Sequence, residues 1–202
     1  MDTERNAEFL EILKQKLKPD RLYHSLNVAE EAKKLAQHYG ADEKKAFTAG
    51  LVHDIMKNTP QDEMYAFLLA HGAKLNDVDA ANPKIWHAIA GYYYLRDELG
   101  VTDADILSAV RWHTTGQRTM TLLEKIIFVA DYISAERNYP GVDDMRKKAY
   151  ISLESAMFTG LSFTIQKCVG QGLPLAEDSL FAYNTLAMEL RKQRKEEPLC
   201  NL

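Results

Sequence analysis

The segment AGLVHDIMKN, residues 49–58, places a histidine beside an aspartate in an otherwise apolar run. The flanking alanine, leucine, valine and isoleucine predict a buried helix around His53 and Asp54. A buried carboxylate costs several kcal/mol unless it is paired, hydrogen-bonded or bound to a metal ion. Partners for this pair must therefore come from other parts of the chain.

Further histidines and one more aspartate lie on apolar stripes of helical spacing, so their side chains are predicted to face the interior. The residues that share this property are His24, His87, His113 and Asp131. Each of them alone is more often a satisfied core residue than a ligand, but shared ligation of one ion would compensate several costly burials at once. Imidazole and carboxylate ligands suit iron, manganese or zinc, and the absence of thiolates argues against a structural zinc site.

The elements that must position these side chains are helices. Helical periodicity dominates the chain, and the sequence shows no convincing strand pattern or repeat. Thr121 and Glu124 form a capping-box pattern that predicts one helix start, and the asparagine–proline pair at 82–83 predicts another. We predict an all-α bundle of about eight or nine helices. The predicted helices cover residues 4–17, 21–39, 42–57, 61–71, 83–99, 103–113, 121–136, 143–169 and 179–196.

Composition and charge restrict the classes of function. The 202 residues are 46% hydrophobic and carry a net charge of −4. The isoelectric point near 5.9 argues against electrostatic binding of nucleic acid or of an anionic membrane. No apolar run approaches the ~20 residues that span a bilayer, and we expect the charged segment at the start of the sequence not to act as a signal peptide.

Two features bear on location and assembly. Cys168 and Cys200 are interpreted as reduced thiols, so we expect a cytoplasmic protein. The run of Tyr92, Tyr93 and Tyr94 is expected to pack in the core, and it leaves a homodimer open.

The order of His24, the His53–Asp54 pair and Asp131 resembles that of the HD-domain metal-dependent phosphohydrolases. The similarity is closer to the bacterial YqeK-type branch, described as symmetrical diadenosine tetraphosphatases. The segments that carry it are RLYHSLNVAEEAKKLA, AGLVHDIMKN, HAIAGYYYL, AVRWHTTG, EKIIFVADYISAERNYPGV and GLPLAEDSLFAYN, which span residues 21–184. The resemblance implies a single HD-type domain over residues 1–198. Its core would cover about 21–140, and its C-terminal helices and a nucleotide-covering loop would cover about 143–196.

The resemblance also implies a ligand set. An iron-type ion would be held by His24, His53, Asp54 and Asp131, with manganese or another divalent transition metal as the alternative. His87 and His113 would lie beside it and would hold either a second ion or a substrate phosphate.

Further residues are implied to contact the dinucleoside polyphosphate or nucleotide substrate. They are Arg21, His24, Asp54, Lys57, His87, His113, Thr114, Asp131, Arg137, Leu175 and Ser179. Two positions depart from the family pattern. Ser134 replaces a glutamate expected after ADYI, which puts the local support of Arg137 in doubt. The LAEDS segment at 175–179 lacks the usual His-Pro pair, which bears on nucleotide affinity or base preference.

The expected reaction is hydrolysis of diadenosine tetraphosphate at its central phosphoanhydride, which gives two ADP through attack by a metal-bound hydroxide. Asp54, Lys57 and Asp131 are the expected catalytic residues. Lys57 follows His53 by one helical turn, so its ammonium could reach the phosphate or protonate the leaving group. The symmetrical cut is implied by the resemblance alone. The alternatives are an HD-type nucleotidase or phosphodiesterase acting on another nucleotide, a non-catalytic nucleotide sensor, and a structural helical domain whose histidines are core residues.

Overall fold

The computed structural model of the protein describes residues 3–196. Cys200, the end of the charged tail and the end of the expected domain at 198 lie outside the described residues. Regular structure in the described part is entirely helical, which confirms the all-α prediction. Its α-helices are α1 (Thr3–Lys16), α2 (Pro19–Tyr39), α3 (Glu43–Val52), α4 (Gln61–Ala70), α5 (Asp77–Ala80), α6 (Pro83–Tyr93), α7 (Ala104–Trp112), α8 (Leu122–Ile133), α9 (Val142–Ala149), α10 (Leu153–Gly170) and α11 (Glu177–Glu196), and Tyr94–Glu98 forms a π-helical turn.

The predicted helix count is too low because local turns divide two of the predicted segments and one short helix escaped notice. The segment 83–99 changes from α-helix to π-helix at Tyr94. The segment 143–169 is divided before Ser152, whose side chain accepts a hydrogen bond from the Ser155 amide at 3.1 Å and so begins α10. Helix α5 has only four residues, too few for any periodicity to show.

Helix α3 ends at Val52 and not at residue 57. From there to Thr59 the backbone makes successive tight turns, in which Ile55, Lys57 and Thr59 each donate an amide hydrogen bond to the carbonyl three residues earlier, at 3.1, 2.8 and 3.2 Å. The His53–Asp54 pair therefore lies just beyond the helix, where neighbouring side chains are not forced onto different helical faces.

The core is built around α2, α3 and α8, which pack against one another. Gly50 is central to this packing because a Cβ atom there would lie 2.8 Å from the Cα atom of Ala29. The close approach of α3 to α2 brings the rings of His24 and His53 to a centroid separation of 5.3 Å. The predicted capping box starts α8: the Thr121 hydroxyl accepts the Glu124 amide at 3.2 Å, and the Glu124 carboxylate accepts the Thr121 amide at 2.9 Å.

Two surface expectations can be compared with the fold. Tyr92, Tyr93 and Tyr94 are half-buried and pack against the edge of the core. Within residues 3–196, no helix combines the length and the apolarity needed to cross a membrane.

Candidate metal centre

Asp54 is the hub of a buried cluster of histidines. Its Oδ1 atom lies 3.2 Å from His87 Nε2 and 3.6 Å from His113 Nε2. Its Oδ2 atom lies 3.4 Å from His53 Nε2 and 3.9 Å from His24 Nε2. The four imidazoles come from four different parts of the chain, and all of them are buried. The predicted convergence of these side chains is therefore present.

Asp131, on α8, completes the cluster on its more open side. Its Oδ1 atom lies 3.0 Å from His24 Nε2, and its side chain is 21% exposed where that of Asp54 is 3% exposed. Two overlapping sets of potential ligands result, His24–His53–Asp131 and His53–Asp54–His113, and within each set the ligand atoms lie within 4.8 Å of one another. His53 belongs to both sets.

The residues present fit a metal ion. Among the described residues, His24 Nε2, His53 Nε2 and Asp54 Oδ1 are buried and make no hydrogen bond, although Asp131 Oδ1 lies 3.0 Å from His24 Nε2 and His87 Nε2 lies 3.2 Å from Asp54 Oδ1. Unpartnered buried polar atoms are rare in native proteins and call for a ligand. His24 and His53 share with Asp131 a set of potential ligand atoms that lie within 4.8 Å of one another, as the ligands of a shared cation must.

The second ring nitrogen of three histidines fixes which nitrogen faces the cluster. His53 Nδ1 donates to the Gly50 carbonyl at 2.7 Å, and His113 Nδ1 donates to the Val110 carbonyl at 2.8 Å. His24 Nδ1 donates to the carboxylate of Glu136. Because these acceptors carry no proton, Nδ1 must hold the hydrogen, and the Nε2 lone pair is left for a metal ion.

Glu136 is the residue that the sequence analysis missed. Ser134 stands where a glutamate was expected, but its hydroxyl donates to Glu136 Oε1 at 2.7 Å, and that carboxylate supports His24. Arg137 is held in another way, by donation to the Asp131 carbonyl at 2.7 Å and to the Asp131 carboxylate. The doubt about the support of Arg137 is thus resolved. A carboxylate five residues after Asp131 was the available signal.

The predicted basic residues point at the cluster. Arg21 donates to Asp54 Oδ2 at 2.9 Å, and Lys57 Nζ lies 3.0 Å from His87 Nε2 and 3.8 Å from Asp54 Oδ1. The Thr114 hydroxyl lies 3.3 Å from the same His87 nitrogen. A cavity of about 350 Å³ opens on the cluster and is lined by Asp20, Arg21, His24, Glu136, Arg137, Asn138 and Tyr139. A larger cavity of about 900 Å³ lies among α1, α2 and α3 and is lined by none of the predicted site residues.

The electrostatics keep the cluster in a ligating state. Burial raises the pKa of Asp54, but the neighbouring imidazoles, that of His53 first and then those of His113 and His87, outweigh it and hold that pKa well below its usual value. Burial likewise opposes ionisation of Asp131, yet its neighbours, His24 first, lower its pKa as well. Burial lowers the pKa of His87 to about 4, so this imidazole is neutral at pH 7, and its Nε2 atom lies 3.0 Å from Lys57 Nζ and 3.2 Å from His113 Nε2.

Two predicted substrate contacts lie apart from these interactions. Leu175 is half-buried, and Ser179 is buried in the first turn of α11. None of the hydrogen bonds and ion pairs around the cluster in residues 3–196 involves either side chain. Their contact with substrate stays a prediction.

Comparison with known proteins places this geometry in a family. The HD domain model matches residues 21–136, which is more than half of the chain and contains every histidine and aspartate of the cluster. The chain belongs to the HD-domain family. The HD pair that names the family is the His53–Asp54 hub described above.

Relatives of this HD protein match it over nearly their whole length. A Bacillus subtilis protein named symmetrical bis(5'-nucleosyl)-tetraphosphatase is 40% identical over 179 residues, which cover 89% of this chain and 96% of the relative. A Halalkalibacterium halodurans protein of the same name is 39% identical over 180 residues, with coverage of 89% and 96%. A crystal structure from Clostridium acetobutylicum matches with a TM-score of 0.88 and 36% identity over 91% of this chain and 97% of that one. That protein is described as a predicted HD superfamily hydrolase involved in NAD metabolism.

Proposed function

We propose that this HD protein hydrolyses diadenosine tetraphosphate at its central phosphoanhydride and releases two ADP. The observation that carries the proposal is the shared cluster in which the unprotonated Nε2 atoms of His24 and His53 face the carboxylates of Asp54 and Asp131. The choice of substrate is supported by two relatives that bear the name symmetrical bis(5'-nucleosyl)-tetraphosphatase.

The proposed cofactor is iron, as one or two ions, with manganese or another divalent transition metal as the alternative. His24, His53, Asp54 and Asp131 would hold the first ion, and His87 and His113, whose Nε2 atoms lie 3.2 and 3.6 Å from Asp54 Oδ1, would hold any second ion. A bound metal ion lowers the pKa of its water towards ~7 and polarises a phosphoryl oxygen. The hydrogen bonds from Nδ1 of His24, His53 and His113 orient these ligands for that task.

Arg21 and Arg137 are proposed to receive the polyphosphate. Both line the 350 Å³ cavity, and each already donates to one of the two clustered aspartates, Arg21 to Asp54 and Arg137 to Asp131. A guanidinium has five N–H donors, so each side chain keeps donors for phosphate oxygens while it holds its carboxylate. Thr114 is proposed to donate its hydroxyl to the same phosphate chain.

Lys57 is proposed to act on the leaving group. Its ammonium lies 3.0 Å from the neutral His87 imidazole, which holds it next to the cluster without cancelling its charge. From there it can neutralise, or give a proton to, the oxygen of the departing ADP as the phosphoanhydride bond breaks and water supplies the new phosphorus–oxygen bond. His87 is thereby proposed to position Lys57 and the phosphate.

We also propose a domain organisation and a role for the segment before α11. A single domain over residues 1–198, with a core at about 21–140, agrees with the packing of α10 against α8 and α9. In this proposal the segment before α11, with Leu175 and Ser179, covers the nucleotide.

Product analysis tests the proposal directly. The metal-loaded protein is incubated with diadenosine tetraphosphate, and the products are separated by ion-exchange chromatography. We expect ADP alone, whereas ATP plus AMP would refute the symmetrical cut. Asp131→Asn is the negative control, since it removes one ligand charge.

A substrate panel separates the rival functions. Mononucleotides and cyclic nucleotides test the HD-type nucleotidase and phosphodiesterase alternatives, and NAD is included because of the description given to the Clostridium protein. Faster hydrolysis of any of these than of diadenosine tetraphosphate would overturn the assignment. Binding of diadenosine tetraphosphate without turnover by the metal-loaded protein would favour a nucleotide sensor.

A further inference from the structure

Arg146, on α9, is bound to the backbone of the segment that follows α8. Its Nε atom donates to the Ile133 carbonyl at 3.1 Å. Its Nη2 atom donates to the carbonyls of Ser134, Ala135 and Arg137 at 3.0, 3.4 and 2.9 Å. These carbonyls belong to the end of a helix and the turn after it, where backbone acceptors lack partners within the helix. One guanidinium therefore satisfies four acceptors of a single short segment, residues 133–137.

The same segment supplies two side chains to the metal centre. Glu136 accepts the hydrogen of His24 Nδ1, and Arg137 binds Asp131 and lines the cavity. Neither residue lies on a regular element, so their positions depend on what holds the turn. Within the turn, the Arg137 amide donates to the Ser134 carbonyl at 2.9 Å, and Arg146 binds both ends of that hydrogen-bonded loop.

We propose that Arg146 is a positioning residue of the site, which acts by holding segment 133–137 so that Glu136 reaches His24 and Arg137 reaches the polyphosphate. The effect on substrate rests on the proposed function, while the effect on the metal rests on the cluster alone. The planar fork of an arginine can serve several carbonyls from one fixed position, which the single ammonium of a lysine does less well. Small displacements of supporting groups are costly at such sites, because ligand orientation depends on them.

The competing explanation is that Arg146 caps α8 and serves stability alone. Arg5 offers a matched control, because its guanidinium also donates to a backbone carbonyl, that of Leu99, and forms an ion pair with Glu8 on its own helix. Arg146 pairs with Asp143 on α9 in the same manner. Arg5 differs in that its target carbonyl carries no link to the cluster.

The experiment compares Arg146→Gln, Arg146→Lys, Arg5→Gln, Glu136→Gln and the double variant Glu136→Gln/Arg146→Gln in the full-length holoprotein. The first readout is the rate at which bound metal is lost to a chelator, and the second is KM and kcat for diadenosine tetraphosphate. We expect Arg146→Gln to lose metal about tenfold faster and to raise KM more than it lowers kcat. We expect Arg146→Lys to be intermediate and Arg5→Gln to match the wild type in both readouts.

The double variant decides how Arg146 acts. If it acts through Glu136, the double variant should lose metal no faster than Glu136→Gln alone, because the two substitutions interrupt one connection. Additive effects would overturn the action through Glu136, and wild-type metal release from Arg146→Gln would overturn the proposal as a whole. If the wild type does not hydrolyse the tetraphosphate, the proposed function fails, but the metal-release comparison still decides the role of Arg146.

Discussion

The two sides of the metal centre are built differently. On the buried side, His53 and His113 are each oriented by the carbonyl three residues earlier in their own helical segment, and Asp54 lies 3% exposed between them. On the open side, His24 is oriented by Glu136, which reaches it from a turn, beside the 21% exposed Asp131. The buried side is therefore fixed by secondary structure, whereas the open side depends on side-chain contacts across the chain. Substitutions should separate these two kinds of support.

Asp54→Asn should have the largest effect because Asp54 contacts histidines on both sides of the centre. We expect bound metal and hydrolysis to be lost together, while helical content by circular dichroism is unchanged. Asp144→Asn is the control, since its side chain is 86% exposed and pairs with Lys147. Metal retention by Asp54→Asn at the wild-type level would show that the two sides do not share this carboxylate.

Lys57→Ala tests the buried side without replacing a predicted metal ligand. We expect the metal content to stay at the wild-type level and kcat to fall about 10²–10⁴-fold, the usual effect of losing a general acid. Lys45→Ala is a close control, because Lys45 lies on α3 with a side chain 30% exposed against 34% for Lys57, and it pairs with Asp103. Turnover at the wild-type rate would remove Lys57 from the mechanism.

The acid response of the metal-free protein should also come from the buried side. The pKa of His87 is lowered from 6.5 to about 4 in the folded state. Between pH 6.5 and 4, His87 is therefore protonated in the unfolded chain but stays neutral in the folded protein. The free energy of unfolding is thus unaffected by His87 above pH 6.5, and the titration of His87 lowers it by about 3 kcal/mol as the pH falls to 4. Chemical denaturation between pH 7 and 4 measures the decline, with His87→Gln expected to flatten the profile. An equally steep profile in His87→Gln would assign the decline to other groups.

Glu136→Gln should have the smallest effect and should be confined to the open side. We expect metal affinity to fall about tenfold, since supporting carboxylates of ligating histidines contribute effects of this size. A chelator competition assay measures the affinity, and Glu154→Gln, which breaks an ion pair with Lys125 elsewhere, provides the control. A change no larger than that of the control would mean that His24 is oriented without Glu136.

The sequence predicted the cluster better than its surroundings. His24, His53, Asp54 and Asp131 were detectable because polar residues in apolar stripes must find partners, and this requirement does not depend on exact helix ends. The end of α3 at Val52 was not detectable, because apolar periodicity continues through the tight turns to Met56.

The role of Glu136 could not be predicted from the sequence for a different reason. Its role depends on the path of a turn after α8, and a family pattern directed attention to position 134 instead. Arg146 was missed for a related reason, since its targets are backbone carbonyls that no sequence pattern marks. The contacts of Leu175 and Ser179 with substrate stay predictions.

The glycine at position 50 has a consequence for the spacing of two predicted ligands. Since even one added methyl group would meet the backbone of Ala29 at 2.8 Å, α3 would have to move away from α2, and the imidazoles of His24 and His53 would separate with it. The separation of the His24 and His53 imidazoles thus depends on the absence of a side chain at position 50. The spacing of two predicted ligands is in this sense encoded in helix packing as much as in the ligands themselves.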